Sequence, residues 1–203
     1  MKHHDDRLNV SRIALALTAR LPARDRGHVI LVTSAAGGEG KSFVSSLLAM
    51  EFSQTTRTDL VLIDACEGSV DEHDRRVLDD RVPTGLAQLV EEGVLPDPAA
   101  WRHGSSRLFF LPGGQRVGAA VFNASGVRRA FDTLRKRFQL NVVDGPSMDA
   151  CGAMLLEADA ILLVVDSLRT SPETIHSVMA AMQLAPPRIT GVVLNHARPD
   201  QTD

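Results

Sequence analysis

No tyrosine occurs anywhere in the 203 residues, tryptophan occurs once, and aromatic residues make up only 4% of the chain. No side chain here can carry a phosphate on a phenolic oxygen. Cysteine is nearly as scarce. Cys66 and Cys151 are the two present, with neither CxxC spacing nor clustered histidines, so no disulfide framework or structural zinc site is implied and both read as small buried hydrophobes. No excess of basic charge exists either: 22 Lys and Arg face 25 Asp and Glu, for a formal net charge of -3 and a pI near 6.2. A dedicated nucleic-acid binder or a polybasic membrane binder would show the opposite balance. The longest apolar run, "AILLVV" at 160–165, is far too short to span a bilayer, and the N-terminus "MKHHDDRLNV" is polar. These absences lead us to expect a cytoplasmic protein with no nucleic-acid partner and no direct membrane insertion, whose membrane contact, if any, comes through a partner.

What is present suits one globular domain. Hydrophobic residues make up 44% and charged residues 23%, a mixture that at this length buries roughly 70% of the unfolded surface around a single core. Six short apolar runs read as strands: "HVILVTS" (28–34), "DLVLIDA" (59–65), "RLFFLP" (107–112), "LNVVDGP" (140–146), "DAILLVVD" (159–166) and "ITGVVLN" (189–195). Runs that are apolar throughout suit strands buried on both faces, as in a parallel sheet. Between them the period changes to that of helices. Phe43, Val44, Leu47, Leu48 and Phe52 form one stripe, Val127, Ala130, Phe131, Leu134 and Phe138 a second, and Ile175, Val178, Met179 and Met182 a third. Ser171 is placed to cap that last helix, with Pro172 at its first position. Strands alternating with helices predict an α/β fold, a doubly wound and mainly parallel sheet of the P-loop NTPase type in a single domain, with ligands at the carboxyl ends of the strands. We divide the chain into a weakly amphipathic N-terminal helical segment (1–27, with Ile13, Leu15, Leu17 and Leu21), the domain proper (28–197) and a polar tail (198–203). The acidic and basic stretch 66–83 and the stretch 113–126 read as surface loops.

The segment "SAAGGEGKS" at 34–42 joins the first strand to the first amphipathic helix. Gripping phosphate requires backbone N–H groups curled around it at a helix N-terminus, a lysine reaching the terminal phosphates and a hydroxyl on magnesium. Gly37, Gly38 and Gly40 provide the backbone freedom, Lys41 the charge and Ser42 the hydroxyl, so Ala36, Gly37, Gly38, Glu39, Gly40, Lys41, Ser42 and Phe43 are the candidate nucleotide-binding residues. Ala35 occupies the position of the pattern's first glycine, and its methyl is tolerable where the backbone angles are ordinary. Two further strands end in Asp64 and Asp144. Parallel strands would bring both carboxylates to the loop side, where with Ser42 they can hold Mg²⁺ and take part with Lys41 in catalysis; singly, each is equally a strand-ending Asp that caps the next turn. Asn195, ending "VVLN", either hydrogen-bonds a purine edge or is a turn residue. "NHAR" is not an NKxD-like guanine motif, which favours ATP as the nucleotide. The basic residues Arg128, Arg129, Arg135, Lys136 and Arg137 read as a solvated helix face rather than a docking patch, and "DEHD" at 71–74 as solvated charge.

The order of these motifs resembles the bacterial tyrosine kinases of capsule and exopolysaccharide biosynthesis, within the ParA/MinD-like P-loop ATPases. "ILVTSAAGGEGKSFVSSLLA" is similar to that family's Walker A motif, "LVLIDACEGSV" to its second acidic motif and "LNVVDGPS" to its Walker B motif, with "TGLAQLVEEG", "LFFLPGG" and "ITGVVLN" similar to its connecting landmarks. The resemblance implies an ATP- and Mg²⁺-binding domain that works with a membrane-embedded polysaccharide chain-length regulator, can form homo-oligomers, and transfers phosphate to tyrosines at its own C-terminus. Four departures stand against the pattern. The family's DxDxR becomes Asp64, Cys66 and Gly68; a thiol is a poor ligand for Mg²⁺, and Glu67 or Asp71 are the nearby carboxylates that could compensate. The family's DSPP becomes Asp144, Gly145, Pro146 and Ser147. Its ExxRxxR assembly pattern becomes Arg12, Leu15 and Thr18. The acceptor tyrosines are missing. A MinD- or ParA-like positioning ATPase is the alternative, against which stand Ala36 at the place of the signature lysine and the absence of a C-terminal amphipathic helix.

Overall fold

In the computed structural model, residues 2–66, 85–95, 97, 102, 106–114, 122–181 and 189–197 are described. Gly68, Glu67, Asp71, the "DEHD" stretch, Met182, residues 115–121 of the loop at 113–126 and the tail at 198–203 lie outside them. The six apolar runs form six strands: β1 (His28–Ser34), β2 (Leu60–Asp64), β3 (Leu108–Leu111), β4 (Leu140–Asp144), β5 (Ala160–Asp166) and β6 (Ile189–Asn195). They make one sheet in the order β3-β2-β4-β1-β5-β6, and every neighbouring pair is parallel. The helices are α1 (Lys2–Arg20), α2 (Lys41–Thr55), α3 (Leu86–Glu92), α4 (Ala124–Arg137), α5 (Met148–Cys151), α6 (Ala153–Glu157) and α7 (Pro172–Ala181).

The central strands β4, β1 and β5 are buried on both faces, which is why they read as continuous apolar runs instead of alternating ones, whereas the edge strands β3 and β6 expose Phe110, Val192 and Leu194. Along β1 the side chains still alternate. Ile30 and Val32 join Leu48, Phe52, Ala14 and Leu17 on the side of α1 and α2, whereas Val29 and Leu31 join Phe131, Leu134, Leu89 and Met154 on the side of α3, α4 and α6. Val44, Leu48 and Phe52, at i, i+4 and i+8 of α2, are buried. Phe43 departs from the expected stripe and is 57% exposed, because one residue of a helix is a rotation of about 100° away from that line. Ser171 accepts from the Thr174 amide at 3.2 Å, and α7 opens at Pro172, as the capping pattern predicts.

The stripe of α4 is buried from Val127 to Phe138, and Arg128, Arg129, Lys136 and Arg137 are exposed as the solvated face expected of them, with Arg135 as the exception. Arg135 is only 4% exposed and bonds to Asp159 and Asp132. Arg128 pairs with Glu157, and Arg137 pairs with Asp59 while lying over the Phe109 and Phe138 rings. Neighbouring elements supply carboxylates and aromatic faces to this helix, which a one-dimensional charge pattern does not reveal. Helices α3, α5 and α6 also escaped the periodicity. They have 7, 4 and 5 residues, too few for a 3.6-residue period to show.

Candidate functional site

The strand order puts β1 in the middle, with β4 and β2 on one side and β5 and β6 on the other. Connections depart in both directions around β1, and the crevice at its carboxyl end is the place where such sheets take ligands. The loop of residues 35–40 leaves from that end and runs into α2. Gly38 and Gly40 have φ of 79° and 93°, and a Cβ on Gly40 would come within 2.3 Å of Asn195 Nδ2, so glycine is required there twice over. Ala35 has no positive φ and is buried, so the backbone condition for its methyl is met. Helix α2 begins at Lys41 with no side-chain cap on its first amide groups. Uncapped amides and the positive end of the helix dipole favour an anion.

Lys41 is 9% exposed, and its Nζ donates to Ser34 Oγ at 2.9 Å. Asp64 and Asp144 are in direct register across β2 and β4, so the two carboxylates emerge side by side. The Ser42 hydroxyl bonds to Asp144. Asp144 is 8% exposed, yet its Oδ1 is buried with no hydrogen-bond partner. Burial first, and then the neighbouring Asp64, raise the Asp144 carboxyl above its ordinary value against the opposing Ser42 hydrogen bond. A cation would satisfy the orphaned oxygen and offset the repulsion between the carboxylates, so these residues fit a bound metal ion.

Cys66 is not the buried hydrophobe that composition suggests. It is half-buried beside the two carboxylates, and their ligand atoms and its sulfur all lie within 4.8 Å of one another. Its thiol donates to Gly145 O at 3.2 Å and Asp144 O at 3.5 Å, while its amide donates to Asp64 Oδ1 at 3.0 Å. Burial, followed by the charges of Asp144 and Asp64, pushes the thiol up to about 12. Cys151 fulfils the expectation: it is buried, bonded to Thr33 and Pro146, and pushed up to about 11, chiefly by burial.

The loop residues divide by direction. Ala36, Gly37, Gly38, Ser42 and Phe43 are exposed, whereas Glu39 is 2% exposed and turns its carboxylate inward to the Thr170 hydroxyl and the Ala36 amide. Its side chain closes the loop, and the backbone is what it presents outward. Asn195 supports the same loop, its Nδ2 donating to Glu39 O at 3.0 Å and its Oδ1 accepting from His196 N. Beside it, Asp166 is buried and held below the ordinary carboxylate value, first by the Leu168 amide and also by His196, whose Nδ1 is 3.2 Å away. Thr170 was not legible as a loop support, since nothing local to "VVDSLRTS" refers to Glu39, more than a hundred positions earlier.

No family model matches the sequence, and no curated protein matches it. Solved structures do. The VpsO kinase domain is 25% identical, with 97% of this chain and 98% of that one covered and a TM-score of 0.71. The fold is that of the bacterial tyrosine kinase domains. The kinase domain of the Escherichia coli tyrosine kinase ETK agrees at 20% identity, 92% and 74% coverage and a TM-score of 0.70. A putative plasmid partition protein from Borrelia burgdorferi bound to AMPPNP follows at 16% identity, 85% and 76% coverage and 0.60. Kinase domains and partition proteins as structural neighbours are consistent with a divergent member of the family that the motifs resemble.

Proposed function

We propose that this chain is an ATP-binding P-loop protein of the kind that regulates exopolysaccharide or capsule polymerisation or export together with a membrane-embedded chain-length regulator, and that its tyrosine autokinase activity is weak or absent. The observation that carries the reading is the convergence of Lys41, Ser42, Asp64 and Asp144 at the carboxyl ends of β1, β2 and β4, against the uncapped start of α2. In this reading the amides of 36–43 hold the phosphates, Lys41 leaves Ser34 to reach the terminal phosphate, and Ser42, Asp64 and Asp144 hold the ion. When bound, Mg²⁺ supplies charge neutralisation on the phosphate oxygens. Asn195, already fixed to the loop backbone, has one remaining amide hydrogen to offer a purine. Cys66 cannot take a proton from an attacking group at neutral pH, because its thiol is already protonated. That favours a nucleotide-dependent switch with slow turnover over an efficient phosphotransferase.

Isothermal titration tests the carrying observation. The native chain should give heat with Mg-ATP in preference to Mg-GTP, and Lys41→Ala should lose it; equal binding by the variant would remove the loop from the account. The partition-protein neighbours support a MinD- or ParA-like positioning role as the second reading. A chain-length regulator encoded beside this chain, and altered polymer length in cells carrying Lys41→Ala, would separate the first reading from that one. Homo-oligomerisation is part of the proposal, with α1 exposing Leu15 at 72% where the family pattern has an arginine.

A further inference from the structure

Cys66 makes this cluster chemically different from one lined by oxygen alone. Two independent observations point to an ion there. Asp64, Cys66 and Asp144 bring their ligand atoms within 4.8 Å of one another, and Asp144, itself 8% exposed, has a buried Oδ1 without a partner. A tetrahedral ion with metal–oxygen and metal–sulfur distances of about 2.1 and 2.3 Å holds its ligands about 3.5 Å apart, so the set has on the order of an ångström to close. Mg²⁺ demands hard oxygens in near-ideal octahedral geometry. A thiolate beside two carboxylates is instead suited to borderline-soft ions.

We propose that Asp64, Cys66 and Asp144 form a three-ligand site for a divalent cation of the zinc or cobalt(II) class, with Ser42 beside the remaining position. The site rests on the reading of Asp64 and Asp144 as ion ligands, and it needs neither nucleotide nor hydrolysis. Binding exchanges the S–H bond for a metal–sulfur bond; the proton passes to solvent and the ion sheds water. Three protein ligands with a fourth position left open is the arrangement of zinc sites that keep room for water or a substrate oxygen.

The test is titration of cobalt(II) chloride into the full chain under reducing conditions without nucleotide, followed by absorption. A thiolate-to-cobalt charge-transfer band should appear, be retained in Cys151→Ala, be reversed by zinc, and resist excess magnesium. Cys66→Ser and Cys66→Asp should each lose it, and the second restores a hard ligand should the first fail to fold. No band in the native chain, or a band that persists in either Cys66 variant, overturns the proposal. Heat with Mg-ATP in a chain that gives no cobalt band rejects this site alone. A cobalt band in a chain that gives no ATP heat supports the site and rejects the nucleotide reading instead.

Discussion

Two aspartates, one half-buried and one buried, lie at opposite ends of one sheet and are treated in opposite ways. Asp159, at the amino end of β5, accepts from the Val29 amide at 2.8 Å, from Arg135 and from Arg24. Burial alone would raise its carboxyl, but the amide and the two guanidinium groups outweigh burial and hold it below its ordinary value. Asp144, at the carboxyl end of β4, has a serine hydroxyl and an aspartate for neighbours, keeps one oxygen unpartnered and is raised. Donors therefore decide the direction at one end and burial decides it at the other. The Asp159 carboxylate is completed by the chain's own donors, although Arg24 Nε beside it is buried without a partner, and the cluster fastens α4 and the segment before β1 to the sheet. The second is left incomplete, as a binding site must be.

The largest effect expected from altering the incomplete end comes from Cys66→Asp. The added carboxylate would supply both a hard ligand and a base, and ATP turnover should rise by about 10²–10⁴-fold, on the order of 3–5 kcal/mol of barrier, with little change in ATP affinity. Steady-state phosphate release on both proteins checks it; brisk native turnover left unchanged by the substitution would show that another group already acts as base.

Breaking the completed end should cost stability instead. Asp159→Asn leaves Arg135, 4% exposed, without its main anion, and should lower unfolding free energy by about 3 kcal/mol while Mg-ATP heat per folded molecule stays as before. Because the folded carboxyl lies below the unfolded value of 3.8, its contribution is present above that value and fades as pH falls through the folded one. The variant should therefore show a shallower acid limb than the native chain in denaturant melts across pH. An equal loss of stability at every acidic pH would remove Asp159 from the explanation.

A smaller effect sharpens the boundary between the two. Gly145 follows Asp144, and a Cβ there would come within 2.6 Å of Leu31 Cδ1 and 2.9 Å of Val32 O. Gly145→Ser, which brings in the residue of the family pattern, should cost about 2 kcal/mol by overpacking, visible as a lowered melting temperature. A neutral result would mean that β1 and β4 part there without strain.

The strands and the loop were legible in the chain because their signals are local. An apolar run as buried as "AILLVV", or three glycines before Lys41 and Ser42, needs no distant partner to be recognised. Helix α3 was missed because its four buried residues occupy less than two turns. The inward turn of Glu39, the support from Thr170 and Asn195, and the burial of Arg135 could not be read at all, since each depends on a residue brought close only by folding. Cys66 carried two sequence readings: its scarcity suggested a buried hydrophobe, while the resemblance of the segment after Asp64 to an acidic motif put it at the ion site, and β2 and β4 do set it beside two carboxylates.

By itself, then, the sequence determined the α/β alternation, the place of the phosphate-loop candidate and the residues that end the strands, because hydrophobic period and glycine spacing are properties of neighbours along the chain. Only the tertiary structure decided which charges are satisfied. Parallel register places Asp64 against Asp144 and leaves Oδ1 without a donor, and packing of α4 on the sheet delivers Arg135 to Asp159. A carboxylate's state is set by the donors and charges within a few ångströms of it, and those distances exist only after folding.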